Sequence, residues 1–382
     1  MLFLSMPVWA KDFGVIVDQS PAVSGYGSDA EFEYTGILIP RFSMLIGEQG
    51  KFYASIGLNV QNDPLSAVPE ILRTEFSWNF SAGDLKLGRV FYSDPLGFVA
   101  QGLFDGAMFS TDTKVGAFSA GAFYTGLVYK KRTEISMTTE ELDLLYCDLK
   151  YSDFADTYFA PKRALLAFGW DIPLIKDLVK MQAGILAQFD FQKTKLHSQY
   201  AIVKASMFWK NFIFDLGGCF ELLENDGEAG VGLAGEAGVA WLLPTKFSDK
   251  LSLLGRFSSG KIADSKMEAF LPLTNDYQGE ILKGKFSALS MIKMDYLIKL
   301  HETVSVNAAA SYFIRSDLGT FTFIGSDGWF LGPEFFVRGI WSPFSDVFVN
   351  LGGGLFVPRL GDAAKDSDVL WRIELNLILS FY

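Results

Sequence analysis

The stretch Leu370 to Tyr382, LWRIELNLILSFY, decides the fold. Trp371, Ile373, Leu375, Leu377, Leu379 and Phe381 alternate with Arg372, Glu374, Asn376, Ile378, Ser380 and Tyr382. Successive side chains of a β-strand point to opposite faces, so one face here is apolar and aromatic while the other carries charge and amide. A wall with lipid on one side and a wet lumen on the other requires that pattern. An amphipathic strand over a soluble core would alternate in the same way, and the rest of the chain separates the two readings.

Hydrophobic residues make up 49% of the 382 residues and aromatics 15%, against 20% charged, which is too apolar for an ordinary soluble β protein. No apolar run approaches the roughly 18 residues a helical span needs, so a closed barrel is what remains. No Pro/Ser-rich linker or low-complexity tract divides the chain, and residues 11–382 read as one barrel domain. Residues 1–10 (MLFLSMPVWA) end in Val8-Trp9-Ala10 ahead of Lys11-Asp12, a small-residue cleavage pattern. They read as the remainder of a secretory leader, with an ordinary first strand as the alternative. The net charge of −11 excludes a nucleic-acid partner, whose phosphates demand a basic face. Cys147 and Cys219 form no framework and no metal-ligand spacing, so no disulfide, no metal and no cofactor are expected.

Period-two segments bounded by turn residues give about eighteen strands, with sixteen as the alternative. Short turns at Gly47 to Gly50, Ser81 to Asp84, Thr111 to Lys114, Pro173 to Asp177, Lys210-Asn211, Pro244 to Asp249, His301-Glu302 and Ser342 to Ser345 alternate with longer connections. The longer ones are Ser20 to Asp29, Asn62 to Pro69, Ser93 to Gly102, Lys130 to Asp156, Gln192 to His197, Glu224 to Gly227, Ser259 to Gly279, Ser316 to Asp327 and Pro358 to Asp368. Tight periplasmic turns opposite long external loops are the asymmetry of an outer-membrane barrel. The expected fold is therefore an all-β, transmembrane, antiparallel up-and-down barrel with both termini on the short-turn side.

Tryptophan supplies an independent check, because indoles favour the membrane interface. Trp78, Trp170, Trp209, Trp241 and Trp341 all fall just before a short turn and form a candidate aromatic girdle. Parity sorts the remaining side chains. Leu72, Thr74, Phe76 and Trp78 face out while Arg73, Glu75 and Ser77 face in; Ile185 and Phe189 face out while Gln188 and Asp190 face in. Lys283, Lys285, Lys293 and Asp295 are placed inward on one long strand from Ile281 to Leu300.

The segment Leu85-Lys86-Leu87-Gly88-Arg89, the loop Ser93 to Gly102, Phe104-Asp105-Gly106 and the strand ending Ala122 to Gly126 resemble a strand pair of large outer-membrane porins. The likeness is to alginate-export-type and related substrate-specific porins. It implies a barrel of about sixteen or eighteen strands, often with the third external loop, here Ser93 to Gly102, folded inward. Val90 stands where those porins commonly place Gln, and Tyr382 is out of phase with the lipid-facing parity that ends at Phe381.

The candidate constriction is a set of inward charges of both signs: Arg73, Glu75, Arg89, Asp105, Glu236, Arg256, Lys283, Lys285, Glu334, Arg372 and Glu374. Such charges order polar solutes and sort ions, or pair only to satisfy the interior. Enzymatic chemistry is not expected: His197 is placed in an external loop and His301 in a periplasmic turn, a barrel height apart, and Glu140/Glu141 read as solvated charge. The leading function is a porin or channel for small hydrophilic solutes. Inward Leu186, Leu289, Met291, Phe336 and Phe348 keep a transporter of hydrophobic compounds open, and the loop Lys130 to Asp156 keeps a structural or adhesive surface barrel open. Membrane lipid, small solutes and the barrel-assembly machinery reading the C-terminal strand are the expected partners, and a homotrimer is compatible with them.

Overall fold

The structure is a computed structural model that describes residues 8–62, 65–192, 195–263, 265–319 and 328–382. The expected leader lies mainly outside these residues. Eighteen strands form one sheet that closes on itself, β1 pairing with both β2 and the C-terminal strand. In chain order the wall runs β1 (Val8–Tyr26), β2 (Asp29–Ile46), β3 (Gly50–Asn62), β4 (Leu65–Phe80), β5 (Gly83–Ser93), β6 (Gln101–Thr113) and β7 (Gly116–Tyr124). It continues with β8 (Arg163–Ile175), β9 (Val179–Asp190), β10 (Leu196–Trp209), β11 (Phe212–Asn225), β12 (Glu228–Leu242) and β13 (Lys250–Ser258). A small loop hairpin, β14 (Tyr277–Gln278) and β15 (Gly284–Lys285), intervenes. The wall ends with β16 (Leu289–His301), β17 (Val304–Arg315), β18 (Phe330–Phe344), β19 (Val347–Phe356) and β20 (Leu370–Phe381). Each wall strand pairs antiparallel with its neighbours in sequence, and β20 with β1, so no edge is left to template aggregation.

Turn alternation holds, but the difference in length is concentrated. The turn from β1 to β2 spans only Gly27 and Ser28, and that from β11 to β12 only Asp226 and Gly227. Positive φ at Gly27 (58°) and Gly227 (87°) makes these tight reversals affordable without a Cβ clash. The expected loop at Ser20 to Asp29 is thus mostly strand, and that at Glu224 to Gly227 is half strand. Long chain is confined to residues 94–100, 125–162, 259–288, 316–329 and 357–369.

Parity follows the sequence along most strands. On β9, Ile185 and Phe189 are exposed on the outer face while Leu186, Gln188 and Asp190 are buried inward. Ile373, Leu375 and Phe381 of β20 are likewise exposed on the outside. One expectation fails: Leu72 faces inward and is buried, and Ile71 takes the outer face. A β-bulge where Ser55–Ile56 of β3 oppose Arg73 and Ile71 of β4 inserts Leu72 as an extra residue and shifts the parity above it.

All five girdle candidates lie at the short-turn ends of their strands. Trp170 stacks on Phe118 across β7–β8 with centroids 5.9 Å apart, and Trp241 stacks on Phe212 across β11–β12, also at 5.9 Å.

Candidate functional site: the lumen and its inward loops

Three loops fold into the barrel and build an apolar plug inside it. Residues 94–100 turn back under the carboxylate of Asp94, which accepts hydrogen bonds from the backbone N–H groups of Leu96, Gly97, Val99 and Ala100 at 2.8–3.0 Å. Burial pushes the Asp94 carboxyl up from its ordinary value, opposed by those four bonds. The loop reaches far across the lumen: a Cβ at Gly184 of β9 would lie 3.2 Å from Pro95, and Leu96 rests against Gly217 of β11. The fully buried ring of Phe98 meets Phe286 at 4.8 Å and Phe270 at 6.4 Å, both from residues 259–288. Ile135 and Met137 of the loop 125–162 join the same cluster. That loop carries α1 (Lys130–Thr133), α2 (Thr139–Tyr146) and α3 (Phe154–Tyr158), and the segment Lys130 to Asp156 turns inward only in part: Ile135, Met137, Glu141 and Leu145 are buried while Leu142, Tyr146 and Tyr151 are exposed.

The wall residues of this cluster all come from β5 to β12. Strands β16 to β20 contribute instead to a smaller group around Leu289, Phe313, Leu331 and Phe356 near the external end. The plug therefore occupies one side of the lumen, and the charged side chains of β16–β20 and β1–β4 border what is left.

Candidate constriction residues divide into those that hold the plug and those that border this remaining space. Arg89 is a holder: its Nε and Nη2 bind both oxygens of Asp105 on the facing strand at 2.9 and 2.8 Å, Nη2 also reaches the Leu127 carbonyl at 2.9 Å, and Nη1 binds the Ile71 carbonyl. Glu334 is another, accepting from the backbone N–H groups of Glu280, Ile281 and Leu282 at 2.7–3.0 Å. Lys283 and Lys285 lie on the β14–β15 loop rather than on a wall strand, because the strand expected from Ile281 begins at Leu289. Half-buried Lys285 donates to the Ser136 carbonyl, and the desolvation of its ammonium pulls it from 10.5 down to about 8, opposed by Glu141 and Glu221.

Bordering the remaining space, Arg73 is 40% exposed and pairs with Glu75 at 2.6 Å. On the plug side, buried Glu236 sits between Arg256, directly opposite on β13 and 3.2 Å away, and Lys204 at 3.2 Å, and the Arg256 guanidinium lies over the Phe98 ring. Lys204 lies on β10, two strands from Glu236, and Gly217 separates them in register. The same device recurs on the far side: Arg338 of β18 crosses Gly352 of β19 to reach Glu374 of β20 at 3.1 Å. A glycine between two charged neighbours removes the side chain that would block the span. Arg372 completes this array with Glu33 at 2.9 Å and Glu374 at 3.0 Å.

Glu141, read from sequence as solvated charge, is instead fully buried, Asp190 faces inward as expected, and Arg163, Asp276 and Glu280 escaped sequence reading. Arg163, Glu141 and Asp190 form a fully buried network, Arg163 meeting Glu141 at 2.7 Å and Asp190 at 3.3 Å, that pins α2 to the wall. The signal for Glu141 was the sequence Thr138-Thr139-Glu140-Glu141, a capping box that the structure forms. Asp276, paired with Arg256 at 2.8 Å, and Glu280, paired with Arg338 at 2.9 Å, sit on a loop whose course no periodicity reveals. Burial raises the Asp276 carboxyl against the pull of Arg256. His197 and His301 stand at opposite ends of the wall, on the external end of β10 and the periplasmic end of β16.

No family model and no curated protein matches the sequence. Solved structures do match over nearly the whole chain. Pseudomonas aeruginosa OccK11 (OpdR) aligns with a TM-score of 0.63 at 10% identity, over 97% of this chain and 96% of its own. OccK2 (OpdF) of the same organism, solved in complex with glucuronate, aligns with a TM-score of 0.65 at 9% identity over 97% and 96%. OpdO aligns with a TM-score of 0.65 at 13% identity over 97% of both chains. These likenesses bear out, at the level of the fold, the porin resemblance carried by Leu85 to Gly126: the chain shares the closed, 18-stranded antiparallel barrel of the Occ channels.

Proposed function

We propose that the protein is an outer-membrane porin through which small hydrophilic solutes diffuse past a charged constriction. The observation that carries this reading is the one-sided plug: the apolar cluster fills the lumen beneath β5–β12 and leaves a border of ion pairs opposite. A cavity of about 500 Å³ at the external end is lined by Glu33, Lys283 and Arg372, and further cavities of about 250 and 370 Å³ lie along β13 and β16. Fold kinship with the substrate-specific Occ porins supports it. Glucuronate, bound by OccK2, is a natural first solute to test, since paired arginines and carboxylates suit a polyhydroxy acid.

Leu186 and Leu289 are buried within packed clusters and Phe336 against Gly352 and Gly354, so the hydrophobic-transporter reading keeps only Met291, at the edge of the cavity of about 250 Å³, and half-buried Phe348. The outer apolar band contacts membrane lipid, with Trp78, Trp170, Trp209, Trp241 and Trp341 as its periplasmic girdle, and β20 is the segment read by the assembly machinery. Reconstitution into planar bilayers tests the function. Discrete conductance steps are expected, and a bilayer that stays sealed with correctly folded protein would refute the reading.

A further inference from the structure

The arginines that border the remaining lumen are engaged in ion pairs, while among the described residues several lysines are not. Arg73, Arg256, Arg338 and Arg372 each bind a carboxylate. Lys293 differs: among the described residues no carboxylate lies within ion-pair distance of its ammonium, although it borders both the cavity beneath the β14–β15 hairpin and the cavity below it. The charges around it are held elsewhere, Glu334 by the loop backbone, Glu280 by Arg338 and Arg256 by Glu236 and Asp276. Two residues along the same strand, and so on the same face, Asp295 accepts from Asn307 at 2.9 Å on both oxygens. A neutral amide leaves the carboxylate its full negative charge. The cavity of about 370 Å³ shared by this pair is bounded across β12 and β13 by Lys250, Asp215 and Gly238, the last leaving the floor low.

Resting on the porin reading, we propose that Lys293 and Asp295 form a subsite for small zwitterionic solutes of the α-amino-acid class. Their Cα atoms are about 7 Å apart along the strand, so an ammonium and a carboxylate are presented side by side into the same wet space. An α-amino acid carries the complementary pair on a single carbon and can meet both at once. A simple anion meets Lys293 but is repelled by Asp295, and a simple cation meets the reverse. A shallow site of this kind raises flux by raising occupancy without trapping the solute.

The test is swelling of proteoliposomes with three solutes of one carbon skeleton: alanine, lactate and alaninol, which are zwitterion, anion and cation, with arabinose as the neutral reference. Alanine should enter faster than both analogues, by roughly two- to five-fold, the range an exposed charged contact supports. Lys293→Gln should bring alanine down towards alaninol, and Asp295→Asn should bring it down towards lactate. Each variant is first checked for arabinose entry. Should either misfold, Lys250→Gln and Asp215→Asn, on the opposite border of the same cavity, are expected to reduce the alanine advantage in the same senses. Arabinose entry without an alanine advantage in the native protein, or an advantage untouched by these variants, overturns the subsite and leaves the porin reading standing. Exclusion of all four solutes removes both.

Discussion

At the scale of single residues, burial separates structural charges from those that face solute. Arg89 keeps only 7% of its side chain exposed and all three of its nitrogens are bonded. Removing it leaves Asp105 and two carbonyls without their donor, a loss of about 2–3 kcal/mol once the partial exposure of Asp105 is allowed for. Arg89→Ala should therefore lower the temperature of the heat-induced gel shift and leave ion selectivity unchanged. Arg73→Ala should do the opposite, because it strips the exposed member of a pair and leaves Glu75 to attract cations; reversal-potential measurements decide between them. Lys285 gives a pH signature. Below about pH 8 its amine is protonated in both the folded and the unfolded chain, so the cost of burying the ammonium is present in full. Between about 8 and 10.5 only the unfolded chain holds the proton, so stability rises with pH through that window. Melting in detergent should show that rise in the native protein and lose it in Lys285→Met.

At the scale of elements, the strands were legible and the loops were not. Alternation in Leu370 to Tyr382 or Lys180 to Gln192 is written locally, since each residue needs only its own parity. Leu72 shows the limit: a bulge is a property of the β3–β4 pair, and no single-strand pattern encodes it. The course of residues 125–162 depends on Phe98, Phe270 and Phe286 meeting from loops far apart in sequence, so Lys130 to Asp156 read equally well as external or inward. The charged candidates were found as inward residues, yet their division into plug holders and lumen border required partners on other elements. Phe98→Ala opens a cavity at the centre of the plug and should cost about 3–5 kcal/mol. Deleting residues 130–156 should raise single-channel conductance, because the buried part of that chain, with Ile135 and Met137, belongs to the plug. Unchanged conductance would mean that the path lies clear of this loop. The lipid face has its own test: Leu375→Arg should cost about 2–4 kcal/mol against much less for Asn376→Arg on the lumen side, and equal losses in urea titrations in lipid would contradict the observed parity.

At the scale of the whole molecule, a closed barrel cannot fray from an edge, so unfolding has to begin by parting two strands. Every adjacent pair except one is joined by a turn or loop; the exception is β1 with β20, which only pairing closes. That seam is also interrupted, because register pairs run from Gln19–Leu377 directly to Ala22–Glu374 across Pro21, which has no N–H to donate. Side chains bridge the gap on the lumen face. Asn376 donates to Asp18 at 2.6 Å and to Ser20 at 2.9 Å, and Arg372 reaches over β1 to Glu33 on β2. Asn307, which donates to Asp295 across the continuous β16–β17 pair, provides the control. Each substitution removes hydrogen bonds worth about 1 kcal/mol apiece, but only the seam bonds stand at the place where opening starts. Asn376→Ala should therefore accelerate the heat-induced conversion from the fast- to the slow-migrating gel form clearly more than Asn307→Ala does, with β-dominated circular dichroism kept by both before heating. Equal rates would place the first opening elsewhere in the wall.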